Sequence, residues 1–238
     1  MNLEEKQELL AQFLERWPES AVERLTLPQY VGVRDKDTFT YWVETLTRPL
    51  GSIKGTFSDK FGIYLRSKPA KLSKNRTNDN QYTWMPRLGK SRQEAFRTVK
   101  QELLSIIRFA ATGDFAKIDG IHLHQMFKWK VASLYSNERL VPIFKQEVLS
   151  RIADAYGLAT TSKTQTSEIH ALLINRKPSD QDIYSYMEAL YERYGSEHHK
   201  EPISRKPQGG TNGKPAKTRK GVATKNIAAQ LRNPARSC

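Results

Sequence analysis

Large apolar residues recur along the chain with two periods, one of three to four positions that marks helices and one of two that marks half-buried strands. In LEEKQELLAQFLER, residues 3–16, Leu3, Leu10, Phe13 and Leu14 fall near one face. Acids in its first turn support a helix, which Pro18 ends. A short second helix is predicted over residues 19–25. The clearest helix is 91–112, where Ser91 and Glu94 form a capping box, Ala95, Val99, Leu103, Ile106, Ile107 and Ala110 form the stripe, and Gly113 closes the end. Residues 142–156 predict another, with Gly157 as its cap. A helix with its own capping pattern is expected over 166–175, and a last one from Pro178 to Gly195. Alternation marks the strands. Residues 38–47, TFTYWVETLT, set Phe39, Tyr41 and Val43 against polar neighbours, and residues 60–66 and 81–85 read the same way. Gly51 and Gly55 mark a turn or bulge, and residues 69–80 a polar, basic, mobile loop. FKWKVASLY, residues 127–135, alternates too and reads as a buried strand or the edge of the core, although so apolar a run also permits a helix. The fold class predicted is α+β: a small mixed or antiparallel sheet packed against several helices.

Composition narrows the setting. With 38% hydrophobic residues in 238, the chain can build a core, while no apolar run approaches the ~20 residues of a membrane span. The first ten residues are acidic and amphipathic, unlike a secretory signal. The single cysteine is Cys238, so a disulfide framework and a cysteine zinc site are excluded and a cytoplasmic protein is expected. Charge is segregated. Residues 1–47 carry 5 basic and 9 acidic side chains, 48–92 carry 11 and 2, 93–195 carry 13 and 12, and 196–238 carry 10 and 2. Positive charge therefore sits in a glycine-bearing block and in the final segment, which suggests a polyanionic partner. After Gly195 the sequence turns rich in Gly, Pro, Lys and Arg with few large apolar residues, and a disordered basic tail is expected over 196–238 behind a folded domain over 1–195.

Candidate chemistry lies mainly in the basic block. RPLGSIKGTFSDKFGIYLRSK, residues 48–68, interleaves glycines, rings and cations as a surface for a phosphate backbone would. Lys54, Lys60, Arg66, Arg87 and Lys90 are the candidate phosphate contacts and Tyr64 a candidate stacking ring. Lys54 and Lys60, flanking the glycines, should face solvent. Of Phe57, Phe61, Tyr64, Tyr82 and Trp84, most are expected to pack inward. Gly89-Lys90-Ser91 invites a phosphate-loop reading, but Trp84 stands where that loop needs its first glycine, so a helix start is the better reading. His122 and His124 would share one side of a strand yet lack the third ligand zinc needs, Asp114 and Asp119 having no evident reason to converge on them. No strand sets an acid, a spacer and a lysine in a nuclease arrangement, and no serine or cysteine has a nucleophile motif. Neither a catalytic residue, nor a metal site, nor a cofactor is expected.

Four runs taken together, YWVETLTRPLGSIKGTFSDKFGIYLR, YTWMPRLGKSRQEAF, KWKVASLYSNERLVPIFKQEVLSRIADAYG and INRKPSDQDIYSYMEALYERYG, resemble an N-terminal module of bacterial restriction-type proteins. The module is similar to the one ahead of the motor in some methylcytosine-specific (McrB-type) AAA+ restriction proteins. GVATKNIAAQLRNPARSC resembles the basic linker that leads into a PD-(D/E)xK nuclease domain in related proteins. The resemblance implies a recognition or assembly module in restriction or phage defence that lacks motor and nuclease. The expected partner is DNA, with a motor or nuclease subunit as the alternative and no membrane. An enzyme that needs a missing domain is the third possibility.

Overall fold

In the computed structural model, which describes residues 1–55, 57–68 and 75–196, the helices and two of the strands share one hydrophobic core. The fold is α+β, ten helices around a three-stranded antiparallel sheet among these residues. The expected tail from 197 on, and residues 69–74 of the expected loop, lie outside the described residues.

Helix α1 (Leu3–Arg16) opens with a reciprocal cap between Asn2 and Glu5 and buries Phe13. Helices α2 (Glu19–Glu23) and α3 (Leu27–Tyr30) follow. Residues 38–47, expected as a strand, are helical instead: α4 (Phe39–Tyr41) runs into a π-turn over Trp42–Leu46. The reason is that Phe39 and Val43, four apart, both lie fully buried, while Thr38 caps the Tyr41 N–H and Thr47 Oγ1 donates to the carbonyls of Trp42 and Val43. The alternation there was coincidental with a helical face.

Strands β1 (Ile63–Leu65), β2 (Thr77–Asn78) and β3 (Tyr82–Trp84) form the sheet in the order β1-β3-β2. Ile63 pairs with Trp84 and Leu65 with Tyr82, and Thr77 pairs with Trp84 on the other side. The expected strand over 60–66 is shortened because residues Ser58–Phe61 make a 3-10 turn and Gly62 has φ +76. The predicted loop contributes β2.

Helix α5 (Arg92–Thr112) lies across the sheet and buries the whole predicted stripe, with Ser91 as N-cap and Gly113 at φ +86 as C-cap. After α6 (Phe115–Asp119) comes α7 (Gln125–Tyr135), packed against α5. This is the FKWKVASLY segment, and it is a helix, buried almost all round, including Lys128 and Lys130. Both ammonium groups reach backbone carbonyls, Lys128 those of Asp119 (2.8 Å) and Ile121 (2.9 Å). Helices α8 (Gln146–Ala155), α9 (Thr166–Arg176) and α10 (Ile183–Tyr194) complete the chain. The cap of α9 is remote: the Asp119 carboxylate accepts from the Thr166 and Ser167 N–H groups. No helix among the described residues is long and apolar enough to cross a membrane.

Candidate nucleic-acid interface

A tight turn begins the site. After the 3-10 turn Arg48–Leu50, Gly51 takes φ +98 with its backbone pressed on Pro142 and Phe144. A Cβ there would lie 2.6 Å from the Pro142 carbonyl, so only glycine fits. Lys130 holds the turn from inside, donating to the Thr47 carbonyl at 2.8 Å and the Leu50 carbonyl at 2.9 Å. Fully buried and facing no carboxylate that shifts it, Lys130 has its pKa pushed well below the ordinary lysine value by desolvation. Leu50 and Ile53 anchor the turn in the core, which leaves Arg48 and Lys54 outside.

These two cations meet a third. Lys145, at the N-cap of α8, lines with Arg48 and Lys54 a recess of about 240 Å³, whose other walls are Gly51, Ser52 and, from α10, Met187 and Tyr191. Burial raises the Tyr191 pKa above its ordinary value, so the hydroxyl stays protonated there at neutral pH. Among the described residues the side chains of Arg48, Lys54 and Lys145 make no hydrogen bond or ion pair. Three unpaired cations around one recess set up a local positive potential and leave their donors for a ligand. Just beyond Lys54, Gly55 has φ +104 with nothing within 4 Å of where a Cβ would stand. Phe57 then projects with 85% of its surface exposed.

The sequence-predicted residues divide. Lys54 is exposed and belongs to this recess. Lys60 does not face solvent, contrary to expectation: it is buried, with its ammonium on the Glu44 carboxylate at 2.5 Å and 4.9 Å from the centroid of the Phe61 ring. Arg66 is built into the sheet, donating to the carbonyls of Asp79 (2.7 Å) and Tyr82 (2.8 Å) and to the side chains of Asn78 and Thr83. Tyr64 is half-buried, and burial, then the Asp59 carboxylate, raises its pKa. Arg87 is exposed and donates to the His122 carbonyl, and Lys90 is exposed. Neither lines the recess. Of the five rings, Phe61, Tyr82 and Trp84 are buried and Phe57 is the one held out in water.

The other weak motifs take structural roles. Glu94 accepts the Lys90 N–H at 2.9 Å, so a carboxylate stands where the GKS reading would put a phosphate. His124 caps α7 through Nδ1, and the exposed His122 lies 3.5 Å from Glu102. Among the described residues no three His, Cys, Asp or Glu side chains are grouped to hold a metal ion.

Sequence reasoning missed Arg48 and Lys145 as site residues. Arg48 opens the basic block and could have been named with it. Lys145 sits just ahead of a helix, and no local signal ties it to Lys54. No protein family matches the chain, and neither a curated protein nor a solved structure similar to it was found.

Proposed function

We propose that the chain is a non-catalytic DNA-binding module whose contact surface centres on Arg48, Lys54 and Lys145. The observation that carries this reading is the recess itself, where three cations converge with no hydrogen bond or ion pair to their side chains among the described residues. Cations committed to folding, such as Lys60 and Arg66, are bonded to acids and carbonyls, whereas these three have no such partner among the described residues. Phosphate oxygens are the ligands such a group suits. The setting in restriction or phage defence rests on the sequence resemblance described above.

The test is fluorescence anisotropy with end-labelled DNA across a salt series. Replacing all three cations by glutamate should weaken binding on the order of 100-fold near 0.1 M salt and flatten the salt dependence by roughly 2 to 3 log units per log unit of salt. The melting temperature should stay unchanged, because the replaced side chains make no hydrogen bond or ion pair among the described residues. Unaltered affinity in a folded triple variant would remove the recess from the interface.

A second reading, an assembly module that docks a motor or nuclease subunit, draws on another face. Two recesses of about 360 and 390 Å³ share Pro28 and Tyr82 as walls and are lined by Leu27, Leu65, Phe96 and Val33, the last 47% exposed. Co-purification with a neighbouring gene product, resistant to nuclease treatment and abolished by Val33→Asp, would favour it.

A further inference from the structure

Resting on the DNA-binding reading above, we infer that the site takes single-stranded DNA, with its backbone phosphates on Arg48, Lys54 and Lys145 at the recess and an unpaired base on the ring of Phe57. Phe57 lies three positions after Lys54 in the chain, a reach of at most about 11 Å. Ring and cations therefore act on neighbouring parts of one strand. A recess of about 240 Å³ is below the usual size of a pocket for a whole drug-sized ligand, and it suits a phosphodiester with its base left outside.

Phe57 decides between single strand and duplex. Its exposure leaves nearly a full aromatic face in water, an unfavourable arrangement that stacking on a base would relieve. Within a duplex each base face is already covered by its neighbours. A ring can then act only as a wedge that unstacks a step and kinks the helix. In a single strand the faces are free, and a base can settle on the ring without that penalty. At Gly55, two positions before the ring, nothing lies within 4 Å of where a Cβ would stand. Stacking of this kind carries little base preference, because every base has a π-face.

The full chain is titrated into end-labelled oligothymidylate of about 16 nucleotides, one binding-site length, and into a duplex of equal length. Single-strand binding should be the tighter. Phe57→Ala should weaken it by about 5- to 100-fold while leaving duplex affinity within about twofold, and Phe57→Trp should restore it. Equal or tighter duplex binding, or single-strand affinity untouched by Phe57→Ala, overturns the inference and leaves the DNA-binding reading standing. Absence of binding to either DNA at low salt removes both. With 85% of its surface exposed, Phe57 can be replaced without loss of the fold.

Discussion

The basic block holds cations of two kinds, and they sit in two different places. At the sheet, Arg66 ties the Asp79–Tyr82 turn, Arg92 lies 3.5 Å from Asp79 with its guanidinium over the Tyr82 ring, and Arg76 pairs with Asp59. Behind them Lys60 is sunk onto Glu44. At the recess, the side chains of Arg48 and Lys54 bond to no acid and no carbonyl among the described residues. Net charge treats the two groups alike. Their partners do not: the sheet-side cations offset the desolvation of their own surroundings, and the recess cations leave a field for something else. Lys130 connects the two populations, since it is a buried lysine whose bonds hold the turn that carries the exposed ones.

Breaking that connection should give the largest effect. Lys130→Met keeps the side chain's length and removes its donors, leaving two inward-facing carbonyls unbonded. A loss of about 3 kcal/mol in urea unfolding is expected, with weaker DNA binding as the Arg48 turn loosens. Neutral stability would mean that the turn holds itself. The next effect concerns a base that belongs to the buried group but has no partner. His170 is fully buried against Trp129, ring centroids 5.0 Å apart, and neither ring nitrogen has a hydrogen-bond partner among the described residues. Desolvation lowers its pKa from 6.5 to about 3. Between those values the unfolded chain binds a proton that the folded chain refuses. Stability from this residue is therefore complete above pH 6.5 and falls with pH by about 1.4 kcal/mol per unit, about 2 to 3 kcal/mol over the first two units. His170→Gln should remove that part of the slope in a pH series of denaturation midpoints. An identical slope in the variant would place the acid sensitivity elsewhere. Arg66→Gln comes third, at about 2 kcal/mol, because the Asp79 and Tyr82 carbonyls lose their donor. The DNA affinity of the protein that remains folded should not change, which is what separates the sheet from the recess.

The same division explains what could be read from the residues alone. Helix α5 was legible because its cap, stripe and terminal glycine are all local and agree. Helix α7 was not: Lys128 and Lys130 alternate with Phe127, Trp129 and Val131, and only distant carbonyls, of Thr47 and Leu50 for Lys130, let a lysine lie in the core. The 38–47 segment failed for a related reason, since Phe39 and Val43 fit either period, and Tyr41, which is only half-buried, completed the alternation of a strand. Lys54 was legible as exposed from its glycine neighbours. Lys60 was misread because its partner, Glu44, is brought in by a helical turn that looked like a strand. Lys145 reaches the recess only through the packing of α8 and α10 behind the Gly51 turn, a tertiary fact with no sequence mark.

The smallest expected effects on stability are the sharpest on the comparison. Arg48→Gln, Lys54→Gln and Lys145→Gln, made singly, each remove a cation that bonds to nothing in the described fold. Each should change the unfolding free energy by no more than about 0.5 kcal/mol. Each should also lower the slope of log affinity against log salt by about 0.7 to 0.9, the signature of one phosphate contact. If the three act at one site on separate phosphates, the reductions should add in the double variants to within error. Lys145 is the decisive member, since it comes from outside the basic block. A normal slope in folded Lys145→Gln would detach α8 from the interface and reduce the site to a basic turn, whereas a reduction equal to that of Lys54→Gln would make the convergence of the three, not the charge of the block, the property that binds.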